Sequence, residues 1–346
     1  MGNGFDLAHG LKTGYHDFML WVLTTEFKNY KLWIKQSEST SKIGTPPTLG
    51  ILDFPPIFET KTETELDVFI SKSLVDFKNY FFDKNPNYHS LQKEPSAILG
   101  NEILMQYKSA FNRHGIGIKN NLFRHLLFKN NNIWVDIENE YYDILIKLFK
   151  NKLSPLEFKS IEALNSDFEQ IRELLKTYLN ENIDTNVSIE ALQDVFLNIA
   201  KPYLNENENF LQKLIIKPIC ILNFNYTATP EMYNSFLKDH HISELNYIHG
   251  DLRDTKKNPL IFGFGDEKEE HYLPMESCKD DRFLEFIKSF AYLKTPYYSK
   301  LLSFIEDDKY EVIIMGHSCG QSDRVLLKTI FEHENCEKII IKYYER

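Results

Sequence analysis

Cysteine is scarce in this 346-residue chain: four residues, at positions 220, 278, 319 and 336. They are far apart and form no C-x-x-C pair, which excludes a zinc ribbon and gives a disulfide framework no support. No apolar run is long enough to span a bilayer, and the first residues lack the basic and apolar regions of a secretory signal. A basic surplus is missing as well. The net charge of −10 excludes a protein whose main business is coating nucleic acid. Internal repeats and low-complexity tracts are also absent. What the chain does have is 42% hydrophobic and 14% aromatic residues, enough for a sizeable core in one large domain or two. The expectation is a soluble, reduced, cytoplasmic protein.

The first residues carry the first motif, Gly2-Asn3-Gly4-Phe5-Asp6. Glycines at positions 2 and 4 let the backbone turn tightly and approach a bulky group closely. Such a turn feeding a helix directs backbone N–H groups at one spot, which suits a phosphate. The spacing is not the full dinucleotide fingerprint, since Leu7 holds the third glycine's place. That fingerprint also needs a strand just before the turn, and only Met1 precedes it. The expected first strand is therefore missing from this start, or the turn is held some other way.

Apolar periodicity predicts a helix over 15–34, a loop or insertion over the Pro- and Gly-rich 35–60, and helices over 62–84, 98–112 and 119–130. Ser154-Pro155 reads as the start of a helix reaching Leu179, followed by helices over 187–200 and 208–215. The character changes at Pro218. Short apolar runs at 219–224, 245–248, 260–263, 312–315 and 338–341 read as buried strands. Helical segments near 228–240, 280–292, 296–307 and 322–334 alternate with them, the pattern of a mostly parallel sheet. The expected architecture is α/β: residues 1–35 with 216–346 in one Rossmann-like layer structure, and 36–215 as a helical insertion or cap.

In a parallel sheet, ligands sit beyond the carboxyl ends of the strands. Those ends carry Asn225-Tyr226-Thr227, His249-Gly250, Gly263-Phe264-Gly265-Asp266 and Gly316-His317-Ser318, the last followed by Ser322-Asp323. Each has a plain alternative. Asn225, Thr227 and Asp323 suit helix caps, and a lone histidine after a strand is more often a structural hydrogen-bonder. Ser318 between Gly316 and Gly320 fits the G-x-S-x-G pattern, but the only later histidine is His333, inside a predicted helix.

G-N-G-F-D at 2–6, W-V-D-I-E at 134–138, F-N-Y-T at 224–227, I-H-G at 248–250 and G-H-S at 316–318 resemble the AbiH family of bacterial phage-abortive-infection proteins. That family is in turn similar to SIR2-like proteins, whose Rossmann-type domain binds NAD. The resemblance implies a phage-defence protein that binds, and hydrolyses, NAD. It implies His249 and Asn225 as catalytic residues. It further implies Gly2, Asn3, Gly4, Asp6, Thr227, Gly250, Gly316, Ser318 and Asp323 around the ligand. Thr227 stands where many SIR2-like proteins keep an aspartate. The partners implied are NAD or a related nucleotide and a phage component as trigger. Membrane and metal are not expected, and a homo-oligomer is left open. A histidine can take a proton near neutral pH, and an asparagine amide can orient water without adding charge.

Two other functions stay open. One is a non-catalytic nucleotide-binding sensor. The other is a metal-dependent nuclease using Asp136, Glu138 and Glu140, although acids at a helix start also suit its dipole. Glu138 could instead point from the cap into the site. Lys108, Arg113, Lys119, Arg124 and Lys129, interleaved with phenylalanines, are where nucleic acid would touch, with an amphipathic helix pair the commoner explanation. His240-His241 near Glu244 are discounted as metal ligands, because adjacent helical residues point apart.

Overall fold

The computed structural model describes residues 1–40, 49–54, 68, 117–128, 134–150, 158, 160–183, 218–238, 243–264 and 270–342. The chain opens on α1 (Asn3–Ala8) and α2 (Tyr15–Thr40), continues through β1 (Leu52–Asp53), β2 (Gly117–Ile118), α3 (Asn121–Phe128), α4 (Trp134–Phe149) and α5 (Ile161–Asn182). Then come β3 (Ile219–Asn223), α6 (Thr229–Lys238), β4 (Ser243–Tyr247), α7 (Tyr272–Ser277), α8 (Lys288–Leu293), α9 (Pro296–Asp307), β5 (Tyr310–Met315), α10 (Arg324–Phe331) and β6 (Cys336–Lys342). No described helix is long and apolar enough to cross a membrane.

Among the described residues the strands form three two-stranded sheets. β1 pairs antiparallel with β2, β3 parallel with β4, and β5 parallel with β6. Residues 1 and 2 lie between the two parallel pairs. The Met1 amino group donates to Leu222 O at 2.7 Å, and Phe224 N donates to Met1 O at 2.9 Å, the bonding of a parallel neighbour to β3. On the other side Gly2 N donates to Met315 O at 3.1 Å, at the end of β5. Met1 thus takes the place of a strand, and α1 begins at once behind it.

The rest of the chain packs around this layer. One cluster gathers Phe18, Val22 and Phe27 of α2, Ile137, Tyr141 and Leu145 of α4, and Leu164, Phe168 and Ile171 of α5, all nearly or fully buried. Phe262 and Phe286 belong to the same cluster, so the helices around 120–180 share a core with the chain beyond residue 216. Glu26, fully buried in α2, accepts hydrogen bonds from the backbone of Leu49, Ile51 and Leu52 and so fixes the 49–52 turn. Burial raises its carboxyl pKa, against those bonds. A second cluster, Phe5, Ile221, Tyr233 and Met315, presses α1 against β3 and β5.

Several sequence expectations change here. The 260–263 run is extended but joins no sheet; Ile261 N donates to His249 O, and Phe264 makes only an isolated bridge to Ile287. Segment 280–292 is a 3-10 turn at Asp281–Phe283 followed by α8, not one helix. Likewise 322–334 divides into a 3-10 turn, Gln321–Asp323, and α10. Residues 35–40 continue α2, and β1 lies within the expected loop of 35–60. α5 has Ser160 as its N-cap, its side chain accepting from Ala163 N at 3.3 Å. Ser154 and the helices expected over 62–84, 98–112, 187–200 and 208–215 lie outside the described residues or nearly so.

The join between the chain start and β5 leaves no room for side chains. Gly316 has φ +61, and a Cβ there would overlap the backbone nitrogen of Phe5. Gly316→Ala is therefore expected to cost at least about 2 kcal/mol, through strain plus backbone displacement. Urea denaturation would measure it; a loss under about 0.5 kcal/mol would show the contact to be slack.

Candidate active site

The carboxyl ends of β3 and β5, the glycine turn and the 249–263 segment surround a cavity of about 410 Å³, a size suited to a small ligand. Gly2, Asn3, Gly4, Asp6, Asn225, Thr227, His249, Gly316, Ser318 and Asp323 all line it. Of the expected site residues, only Gly250 does not. It sits behind His249 with φ +105, and a Cβ there would come 2.5 Å from Pro259 O.

The glycine turn spends its amides on the protein. Gly2 N donates to Met315 O, Gly4 N to Gly316 O and Phe5 N to Gly2 O. A Cβ on Gly2 would sit 2.7 Å from His317 Cα, and one on Gly4 2.9 Å from Gly316 O. Asn225 reinforces the turn, its Nδ2 donating to Gly2 O at 3.0 Å, while its own N–H donates to Asn223 Oδ1. Asp6, 1% exposed, accepts from Thr227 Oγ1 at 2.6 Å. Its other oxygen, Oδ1, has no hydrogen-bond partner among the described residues. Burial pushes this carboxyl up to about 6, with Thr227, Thr229 and Asn225 acting in the opposite direction.

Opposite the turn lies a buried charge cluster built from three distant segments. Lys288 Nζ, at the start of α8, donates to Asp323 Oδ1 at 2.7 Å and to Glu138 Oε2 of α4 at 3.0 Å. Glu138 Oε1 also accepts from Gly263 N at 3.1 Å, which holds the extended 260–264 segment in place. Burial alone would strip the charge from Lys288. Asp323 and Glu138 outweigh it and raise the ammonium pKa above its ordinary value. Burial likewise opposes the charge of Asp323, but Lys288 and His249 hold it well below the usual carboxylate range. Glu138 goes the other way, burial pushing it up.

His249 joins this cluster. Its Nε2 lies 3.2 Å from Asp323 Oδ1 and 3.0 Å from the Tyr292 hydroxyl. Burial lowers its pKa, with Asp323 opposing. His317 approaches the other carboxylate oxygen of Asp323 at 3.6 Å, accepts from Cys319 N through Nδ1, and is also lowered by burial. Asp323 precedes α10 without capping it, its side chain being turned to these partners.

Sequence reading missed Lys288, His317 and Tyr292 as site residues. The one trace of Lys288 is a charge inside the apolar stretch Phe286-Ile287-Lys288-Ser289-Phe290. Glu138 does reach the cavity, whereas Glu140 pairs with His125 at 2.6 Å, so the two acids diverge. The Asp136 side chain lies outside the described residues, among which no group of three His, Cys, Asp or Glu residues is arranged to hold a metal. His333 follows α10 and accepts from Asn335 N, away from Ser318. Lys119 pairs with Asp53. Lys108, Arg113, Lys129, His240 and His241 have side chains outside the described residues.

Removing one member of a buried ion cluster strands the others. Lys288→Met is expected to cost about 3–5 kcal/mol in urea denaturation, because it leaves the Glu138 and Asp323 carboxyl groups buried without their shared cation. A cost below about 1 kcal/mol would contradict an ionised Lys288–Asp323 pair.

Comparison with known proteins gives one match. A family model described as Bacteriophage abortive infection AbiH covers residues 1–344. No curated protein and no solved structure matches. The match takes in the glycine turn, Asn225, His249 and Asp323 together with the helices that supply Glu138, and on it this chain belongs to the AbiH family of bacteriophage abortive infection.

Proposed function

We propose that this phage-defence chain binds NAD or a related nucleotide in the cavity and hydrolyses it to nicotinamide and ADP-ribose, a phage component acting as the trigger. The carrying observation is that His249 and Asn225 line one buried cavity together with the glycine turn and the 316–318 loop. A Rossmann-like, SIR2-like arrangement is part of the reading. With Met1–Gly2 counted as a strand, the neighbours run β4, β3, residues 1–2, β5, β6, an order that supports a doubly wound reading in which a ligand would sit at the switch point.

Asp323, held ionised, accepts the Nε2 proton of His249, which leaves Nδ1 as the basic nitrogen. In the reaction the bond from ribose C1′ to the pyridinium nitrogen breaks, and its electron pair neutralises the ring. A water oxygen bonds to C1′ as positive charge develops on the ribose, and the proton it sheds goes to His249. Asn225 fixes the floor on which that water sits. No acid for the leaving group is required, since nicotinamide departs neutral.

A second reading, a nucleotide-binding sensor without turnover, has its own supporting observation. The Asn225 amide is engaged with Gly2 O, and the glycine amides with Met315 O and Gly316 O. Such a pocket can sense a ligand without acting on it.

The test is NAD loss and nicotinamide release by the purified chain, alone and with phage-infected lysate. Turnover is expected, falling 10²–10⁴-fold (roughly, for loss of a general base) in His249→Ala and less in Asn225→Ala. NAD binding without turnover under both conditions would favour the sensor. No binding would overturn both readings.

A further inference from the structure

The proposed function leaves open which part of a ligand the inner cavity wall recognises. A phosphate needs free N–H donors or an uncommitted cation. The glycine-turn amides at 2, 4 and 5 are bonded to protein carbonyls. Of the residues lining the cavity, Lys288 is the one with a permanent positive charge, and Glu138 and Asp323 consume it. His249 and His317 are kept neutral by burial. Against these stand three carboxylates, Asp6, Glu138 and Asp323, one more than the lysine and a single neutral acid can balance.

Asp6 is the cavity carboxylate that stands outside the Lys288 cluster. It is 99% buried, with Thr227 donating to Oδ2, Thr229 and Asn225 also favouring the charged form, and Oδ1 without a hydrogen-bond partner among the described residues. An isolated buried carboxylate is costly, and an arriving positive charge relieves that cost. The cavity lining also includes Phe224, Tyr226 and Phe262, aromatic rings of the kind that attract cations. Leu7, Leu175 and Leu179 complete an apolar, desolvating surround in which such an attraction is little screened.

We propose that this cavity is a site for a cationic heteroaromatic group, with Asp6 as the residue that selects positive charge. Under the NAD reading, on which the identity of the ring rests, the group is the pyridinium riboside. Asp6 then separates oxidised from reduced nicotinamide: the two have nearly the same shape and differ by one charge.

The experiment is calorimetric titration of the full chain with nicotinamide riboside and with its neutral 1,4-dihydro form, both free of phosphate. The cationic riboside is expected to bind at least tenfold tighter than the dihydro form. Asp6→Asn is expected to bring the two within about threefold while its melting curve shows a folded protein. The wild-type comparison stands without the variant, should the variant fail to fold. Equal affinity of the two ribosides, or tighter binding of the dihydro form, overturns the proposal, as does failure of both to bind. Tenfold discrimination without NAD turnover leaves the cation site standing and overturns the hydrolase reading. Turnover without discrimination does the reverse.

Discussion

The ion cluster centred on Lys288 is what the cavity depends on. One ammonium brings together α4, the start of α8 and the turn before α10, which lie far apart in sequence. A buried lysine is tolerable only with its charge compensated, so the position of Lys288 forces Glu138 and Asp323 to converge. Two consequences follow. Glu138, anchored there, holds Gly263 and hence the extended segment that closes one wall. Asp323, kept ionised by the same ammonium, orients His249 and keeps His317 nearby. The helical layer and the strand ends are thereby one electrostatic unit.

The glycine turn illustrates how one feature serves two ends. Its lack of side chains is used first for packing: residues 2 and 4 meet the 316–317 backbone at distances no Cβ would allow. That packing places Met1 between β3 and β5 and delivers Asp6 to the inner wall. A turn that suits a phosphate on sequence grounds is here a structural clasp whose product is a buried, half-satisfied carboxylate. On the proposed reading, recognition rests on the side chain behind the amides rather than on the amides themselves.

The strands were legible as short apolar runs, as at 219–222 and 312–315, although the run at 338–341, expected to be buried, lies in β6 with Ile339 and Ile341 exposed. The run at 260–263 has the same composition yet forms no ladder, since its backbone bonds go to His249 and its neighbour Gly263 to Glu138. Composition does not report the partner, and at β6 it does not report burial either. Among candidate site residues, those at strand ends, Asn225, His249 and Ser318, were legible from position, and all line the cavity. Lys288 was not, because a single lysine at a helix start reads as a solvated charge until the fold supplies two acids from 150 and 35 residues away. Asp323 was legible only as a cap; its actual orientation depends on that unseen lysine.

The central claim is that this cavity, and no other surface, takes up the nucleotide. Hydrogen–deuterium exchange of the full chain with and without saturating NAD tests it directly. The account predicts slowed exchange confined to the backbone around residues 2–7, 224–227, 249–250, 262–264 and 316–323, the segments that enclose the cavity. Protection elsewhere with these segments unchanged would contradict it, as would no protection at all.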